Sequence, residues 1–155
     1  MIRIHLVCVG KIKEPFYREA VSEYQKRLSR FCDLRICEVE ESSLREDGNL
    51  QKILESEAAA LKKHLKGWVI ALCVEGKSRS SPDFAEHLKQ LFDRGVSELT
   101  FVIGSSNGLA EEIKRGADER LSFSEMTFPH MLMRVILTEQ LYRAFMILSN
   151  SPYHK

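Results

Sequence analysis

The sequence lacks the residue patterns that mark a metal site or a disulfide framework. It has four cysteines, none in a CxxC pair or at a metal-ligand spacing, and five scattered histidines without an HExxH motif. The cysteines are Cys8, Cys32, Cys37 and Cys73. Cys8 and Cys73 lie in apolar, strand-like runs and are expected to be buried thiols. We therefore predict reduced cysteines and no bound metal.

Long apolar runs and an excess of charge are also absent. The opening "MIRIHLVCVG" carries charged and polar residues where a signal peptide would be apolar, and no run approaches the about 18 residues of a membrane span. These patterns predict a cytoplasmic protein without a membrane partner. The net charge of +1 means that binding to nucleic acid would require a local patch, or a surface built by two copies.

The glycine motifs of dinucleotide and phosphate-binding loops are missing as well. "GSSNG" at 104–108 fits neither GxGxxG nor the P-loop pattern, and "GKS" at 76–78 lacks the upstream glycine of a P-loop. This argues against a dehydrogenase or a phosphotransferase. "GSSNG" is equally compatible with a plain strand-to-helix turn and with a ligand-binding loop.

What the sequence does contain is a regular alternation of strand and helix patterns, five of each. Apolar runs such as "WVIALCV" are typical of strands covered on both faces, and segments with helical periodicity separate them. This order predicts a single α/β domain over 1–155 with a mostly parallel sheet. The second helix is predicted to run to residue 66 and end at Gly67, the third to begin at an N-cap Ser81, and 42–49 to form a polar loop.

Three segments are predicted at the carboxyl ends of strands, where open α/β sheets bind their ligands. They are "LCVEGK" at 72–77, "IGSSNG" at 103–108 and "FSEMTFPH" at 123–130. Met126 and Phe128 have the chemistry of an apolar slot for a nucleobase. The same two side chains would also suit the protein core, and the sequence leaves both interpretations open.

The last predicted helix, about 129–149, is apolar on more than one face. A helix of this kind is buried on all sides, which in a chain of this size suggests a partner subunit. Its few charges are Arg134, Glu139 and Arg143. Glu139 and Arg143 have the i,i+4 spacing of an ordinary surface pair. On so apolar a helix they are also candidates for a functional ion pair.

Four stretches together resemble the small bacterial SPOUT methyltransferases that modify 23S ribosomal RNA. They are "FSEMTFPHMLMRVILTEQLYRAF" (123–145), "SPYHK" (151–155), "FVIGSSNGL" (101–109) and "ALCVEGK" (71–77). The opening residues are also similar, so the resemblance covers the whole chain. It departs at Glu75, where some relatives have proline, and at the serines of "GSSNG", where a glycine-proline pair is common.

The resemblance implies properties that periodicity could not show. These are a C-terminal trefoil knot, S-adenosylmethionine as the methyl donor, an obligate homodimer, and methylation of N3 of a pseudouridine in 23S rRNA on the assembled ribosome. The cofactor contacts carried over by position are Leu72, Gly104, Phe123, Ser124, Glu125, Met126, Thr127 and Phe128. No metal is implied, because the sulfonium already activates the methyl group.

The same resemblance implies a catalytic group near the end of the chain. Its candidates are His130, Glu139, Arg143, Tyr153 and His154. Arg143 is expected to stabilise negative charge on the acceptor or to grip phosphate, and Glu139 to hold Arg143 in place. Tyr153 would stack on the flipped base, and His154 would either take the N3 proton or orient the base.

The alternative is a ribosome-associated, nucleotide-binding α/β module without catalysis. The near-neutral charge disfavours it, since binding RNA through phosphates alone requires many cations.

Overall fold

The structure is a computed structural model that describes residues 1–42 and 49–154. Strands and helices alternate in it as predicted. The strands are β1 (Ile2–Val9), β2 (Cys32–Val39), β3 (Trp68–Ser78), β4 (Glu98–Ile103) and β5 (Glu119–Ser122). The helices are α1 (Pro15–Leu28), α2 (Leu50–Lys62), α3 (Ser81–Asp93), α4 (Glu111–Gly116) and α5 (His130–Leu148).

All five strands form one parallel sheet in the order β2-β1-β4-β3-β5. The predicted α/β fold with a parallel sheet is confirmed. Apolar side chains of the strands enter two cores, one beneath α1, α3 and α5 and the other beneath α2 and α4. The two-sided cover explains the nearly unbroken apolar runs of the inner strands. The trefoil knot stays a prediction.

Two predicted helix boundaries were wrong, one because of a contact with another strand and one because of a local cap. α2 ends at Lys62, because the hydroxyl of Thr100 donates to the carbonyl of Lys66 at 2.6 Å and draws 63–67 towards β4. The N-cap of α3 is Ser80, whose Oγ accepts from the backbone N–H of Asp83 at 3.1 Å. Most of the predicted polar loop, 43–48, lies outside the described residues.

A bulge in β3 shapes the carboxyl edge of the sheet. Residues 70–72 of β3 pair with 119–121 of β5, and the ladder then resumes at Lys77 and Ser78 opposite 121–122. The four residues between have no partners in β5 and form the bulge. Gly76 permits the close return, since a Cβ there would lie 2.7 Å from backbone atoms of Leu121. The bulge 73–76 therefore forms a wall beside the end of the sheet.

The first half of α5 is anchored by Arg134, which is fully buried. Its Nη1 donates to Glu38 at 2.6 Å, and its Nη2 donates to the carbonyls of Val9 and Gly10 at 2.9 and 2.7 Å. These carbonyls lie where β1 leaves the sheet. One guanidinium thus joins α5 to the ends of β1 and β2.

We expect Arg134→Met to destabilise the fold by about 3 kcal/mol, because it removes the charged donor of the Glu38 carboxylate and of two buried carbonyls. Urea unfolding at one fixed protein concentration measures the loss. Arg115→Met is the matched control, since the Arg115 side chain is 81% exposed. Equal unfolding midpoints for the two variants would contradict the anchoring role of Arg134.

None of the helices in the described ranges is long and apolar enough to cross a membrane.

Candidate active site

A cavity of about 620 Å³ lies at the carboxyl edge of the sheet. Its walls are the β3 bulge, the loop 104–108 after β4, and the segment 122–130 between β5 and α5. These are the three segments that the sequence placed at strand ends. Seven of the predicted cofactor residues line it: Leu72, Gly104, Phe123, Ser124, Met126, Thr127 and Phe128. Glu125 is exposed and is not part of the lining.

The apolar side of the cavity answers the question left open for Met126 and Phe128. The Met126 side chain is largely exposed, with 73% of the residue's surface accessible, so it does not fill the core. A turn holds the segment before it, where the backbone N–H of Met126 donates to Ser124 Oγ at 3.0 Å. The thioether, the Phe128 ring and Leu72 together offer apolar surface at the cavity, which suits a flat heterocycle.

The loop 104–108 is a tight turn that brings backbone to the cavity. The N–H of Gly108 donates to the carbonyl of Ser105 at 2.9 Å, and Gly108 has a positive φ of 82°. A Cβ at Gly104 would lie 2.3 Å from the carbonyl oxygen of Gly108. Only glycine fits at 104 without moving the loop. The loop therefore lines a ligand-sized space as well as connecting β4 to α4.

An ion pair that the sequence did not predict lies at the cavity. Lys114 Nζ is 2.5 Å from Glu75 Oε1, and both residues contribute to the lining. The hydrogen bond from Lys114 lowers the pKa of Glu75, so the pair is ionised at neutral pH. The sequence could not reveal Lys114, because its position depends on which face α4 turns towards the β3 bulge.

The second group of predicted residues forms a cluster at the far end of α5. Arg143 donates to Glu139 Oε1 from Nε at 3.0 Å and from Nη2 at 2.6 Å. The Tyr153 hydroxyl donates to the same oxygen at 3.3 Å, and the Arg143 guanidinium lies 5.0 Å from the centre of the Tyr153 ring. Arg143 Nη1 is 3.0 Å from His154 Nδ1. We call Glu139, Arg143, Tyr153 and His154 the terminal cluster.

The chain end reaches this cluster because α5 closes with a Schellman motif. The N–H of Asn150 donates to the Ile147 carbonyl at 3.0 Å, and that of Ser151 to the Met146 carbonyl at 2.9 Å. Asn150 has a positive φ of 57°, which reverses the chain. Tyr153 then packs its ring edge against Tyr142, with 4.9 Å between ring centres.

The protonation of the terminal cluster follows from its contacts. The hydrogen bond with Glu139 raises the pKa of Arg143, and burial together with the charge of Glu139 raises the pKa of Tyr153. Both groups are therefore protonated at neutral pH. A guanidinium only donates, so in this contact His154 Nδ1 accepts and the N–H of the ring lies on Nε2. The free edge of His154 is thus a donor.

His130 lies apart from the terminal cluster. It lines the cavity and a second one of about 800 Å³ beside the ends of β1 and β2. Its Nε2 is buried and has no hydrogen-bond partner among the described residues. Burial, helped by the charge of Arg134, lowers the pKa of His130, so the ring is neutral at neutral pH. Of the five predicted catalytic residues, the structure thus places His130 at the cavity and gathers the other four in the terminal cluster.

The distance between cavity and cluster is set by the helix. Met133 is the last residue of α5 that lines the cavity, and Arg143 follows ten residues later. At 1.5 Å per residue, this separates them by about 15 Å along the axis. None of the four residues of the terminal cluster lines the cavity of its own chain.

Comparison with known proteins agrees with this fold. A family model described as predicted SPOUT methyltransferase matches residues 2–154. The chain belongs to the SPOUT methyltransferase family.

No group of three or more His, Cys, Asp or Glu side chains within 1–42 and 49–154 is arranged to hold a metal ion.

Several curated relatives carry the name ribosomal RNA large subunit methyltransferase H. That of Streptococcus equi subsp. zooepidemicus is 46% identical over 159 residues, covering 99% of this chain and 100% of the relative. That of Lactobacillus acidophilus is 43% identical with the same coverage. Among solved structures, a probable methylase family protein from Haemophilus influenzae shares the fold, with a TM-score of 0.59, 15% identity, and coverage of 99% of this chain and 70% of that one.

Proposed function

We propose that this protein is an S-adenosylmethionine-dependent methyltransferase that modifies N3 of a pseudouridine in 23S rRNA. The cavity at the carboxyl edge carries the proposal, because three loops converge there on a space of the size and polarity of a nucleoside site. The names of the full-length relatives support a substrate in the large ribosomal subunit. We further propose that 1–155 is one SPOUT domain with a trefoil knot, acting in the cytoplasm.

The residues of the cavity fit S-adenosylmethionine. Leu72, Met126 and Phe128 would enclose the adenine. The backbone of the 104–108 loop, whose tight shape requires glycine at 104, would offer hydrogen bonds to the ligand. Lys114 and Glu75 give charged partners for the polar groups of the ligand. When bound, S-adenosylmethionine supplies a methyl group already activated by its sulfonium sulfur.

The terminal cluster suits the acceptor. An imide nitrogen such as N3 is nucleophilic only after it loses its proton, and the resulting anion spreads over the two flanking carbonyl oxygens. Arg143 supplies a positive charge and the Nε2–H of His154 a second hydrogen-bond donor, so the cluster would stabilise this anion. Both Glu139 oxygens already accept hydrogen bonds. We therefore propose that His154 orients the base and that the N3 proton leaves to water.

We propose a homodimer that brings the terminal cluster of one copy to the cavity of the other. The roughly 15 Å between them within one chain supports this arrangement. Leu132, Ile136, Glu139 and Arg143 follow one another at helical spacing and are all half-exposed. A two-fold axis across this stripe would cover its apolar part and align the two helices in opposite directions.

The first experiment is a calorimetric titration of the protein with S-adenosylmethionine, with NAD and ATP as controls. We expect binding of S-adenosylmethionine alone. Gly104→Ala should weaken it by roughly tenfold or more, because the added Cβ displaces the loop. Gly116→Ala is the matched control, since a Cβ there meets nothing within 4 Å. Binding of NAD or ATP instead would overturn the proposed function.

The activity test uses ribosomes from cells that lack the corresponding gene. Incubation with protein and S-adenosylmethionine should add one methyl group to a pseudouridine of 23S rRNA, detected by mass spectrometry of RNA fragments. Methylation of a different nucleoside would correct the substrate and leave the methyltransferase assignment standing. Binding to ribosomes without methyl transfer would favour the non-catalytic module.

A further inference from the structure

A buried carboxylate that does not line the cavity is hydrogen-bonded to one of its walls. Glu57 belongs to α2 and is 2% exposed. Its neighbours Ala58 and Leu61 on the same helix are equally buried and belong to the apolar core of that face. None of the ion pairs among residues 1–42 and 49–154 includes Glu57. Burying a carboxylate among apolar groups is unfavourable unless hydrogen bonds satisfy it.

Within 1–42 and 49–154, two hydrogen bonds satisfy Glu57, and they join separate parts of the fold. Oε1 accepts from Ser105 Oγ at 2.9 Å, within the loop 104–108. Oε2 accepts from the backbone N–H of Ser42 at 3.3 Å, just beyond β2. Burial raises the pKa of Glu57, and the two hydrogen bonds act in the opposite direction. The buried carboxylate of Glu57 therefore connects the loop 104–108 to the residue that follows the end of β2.

Ser105 transmits this contact to the cavity. It lines the cavity, is only 5% exposed, and accepts two bonds inside its own turn. The Asn107 N–H donates to its Oγ at 3.2 Å, and the Gly108 N–H donates to its carbonyl at 2.9 Å. The Ser105 hydroxyl thus donates a hydrogen bond to Glu57 and accepts one from the loop backbone.

We propose that Glu57 is a positioning residue for the cofactor cavity: it orients Ser105 and thereby holds the 104–108 loop in the shape that presents its backbone to the ligand. The identity of the ligand in this inference rests on the proposed function. The effect of Glu57 on the shape of the loop does not depend on it. Glu57 touches no ligand and acts through Ser105. Its second bond, to Ser42, makes the loop geometry dependent on where the chain leaves β2.

The variants that test this are Glu57→Ala, Glu57→Gln, Ser105→Ala and the double variant of Glu57→Ala with Ser105→Ala. Glu57→Ala should weaken S-adenosylmethionine binding roughly tenfold, the effect of one hydrogen bond to a charged group. The KM for S-adenosylmethionine should rise while kcat changes less than threefold. Glu57→Gln keeps an acceptor for Ser105 and should recover most of the affinity. Because both residues act through one bond, the double variant should be no worse than the poorer single variant.

The matched control is Glu55→Ala on the exposed face of the same helix. It should leave both the affinity and the KM unchanged. If Glu57 had a purely structural role, Glu57→Ala would lower the melting temperature. Its affinity for S-adenosylmethionine, measured well below that temperature, would then be unchanged. Wild-type affinity in Glu57→Ala, or additive losses in the double variant, would overturn the proposal.

Amide hydrogen exchange separates this inference from the proposed function. Exchange of the Asn107 and Gly108 amides should accelerate in Glu57→Ala and in Ser105→Ala, and not in Glu55→Ala. If the wild type does not bind S-adenosylmethionine, the proposed function fails, and the exchange data still decide whether Glu57 holds the loop. Unchanged exchange in Glu57→Ala would refute the positioning role.

Discussion

Arg143→Ala is expected to lower methyl transfer by roughly 10²–10³-fold, the effect of removing one donor from a developing anion. Arg143 is the only cation of the terminal cluster, and it contacts both Glu139 and His154. The half-exposed side chain makes little contribution to folding, since an i,i+4 pair is worth a few tenths of a kcal/mol. The melting temperature and the affinity for S-adenosylmethionine should therefore stay close to wild type. A ribosome methylation assay under single-turnover conditions measures the loss.

Two further variants define the role of Arg143. Arg143→Lys keeps the charge but cannot bond Glu139 and His154 together, so it should recover only part of the rate. Arg115→Ala removes an exposed cation from α4 and should retain full activity. Normal turnover of Arg143→Ala would remove this residue from the mechanism. A parallel loss of cofactor affinity would instead place Arg143 in the methyl-donor site.

Mixing two impaired variants, assayed at an S-adenosylmethionine concentration well below the Kd of Gly104→Ala, tests whether the terminal cluster acts on the partner's cavity. Gly104→Ala damages the cavity and Arg143→Ala damages the cluster. If the site is shared, half of the randomly mixed dimers are hybrids, each with one intact site, so activity should return to about one quarter of wild type. If each chain uses its own cluster, both sites of every hybrid are damaged. Mixing would then restore no activity.

Deletion of residues 152–155 is expected to remove methyl transfer, by roughly 10²-fold or more, while S-adenosylmethionine binds within about threefold of wild type. The deletion removes Tyr153 and His154 but leaves every residue that lines the cavity. It also leaves the Schellman motif at 150–151, so α5 should end normally. Calorimetry and the ribosome assay measure the two properties separately.

Single substitutions separate the contributions of the tail. Tyr153→Phe keeps the ring against Tyr142 and loses only the hydroxyl bond to Glu139, so we expect a mild effect. His154→Ala removes the Nε2–H donor and should account for most of the loss. Full activity of the truncated protein would contradict the proposed role of the chain end.

The fold class could be predicted because it depends on local regularities. Strands covered on both faces have continuous apolar runs, and helices have apolar residues at helical spacing. These two patterns predicted the order of strands and helices from β1 to α5. Parallel strands place their carboxyl ends at one edge, and the three cavity segments followed from that rule. The i,i+4 spacing of Glu139 and Arg143 also predicted their contact. The roles of Tyr153 and His154 came from resemblance alone, since no local pattern shows where a chain end returns.

The tertiary structure decided the features that join residues distant in sequence. Thr100 ends α2 early, Arg134 binds carbonyls more than a hundred residues away, and Glu57 holds Ser105 from another helix. In the apolar pattern of a helix or a strand, such a residue is visible only as a polar position. The pattern does not identify its partner, because that partner lies on another element. The separation of the terminal cluster from the cavity likewise depends on how α5 lies on the sheet. The sequence by itself determined the elements and the edge that carries the cavity. Only the packing of these elements decided which polar groups are buried and which groups form hydrogen bonds with them, because the partners come from distant parts of the sequence.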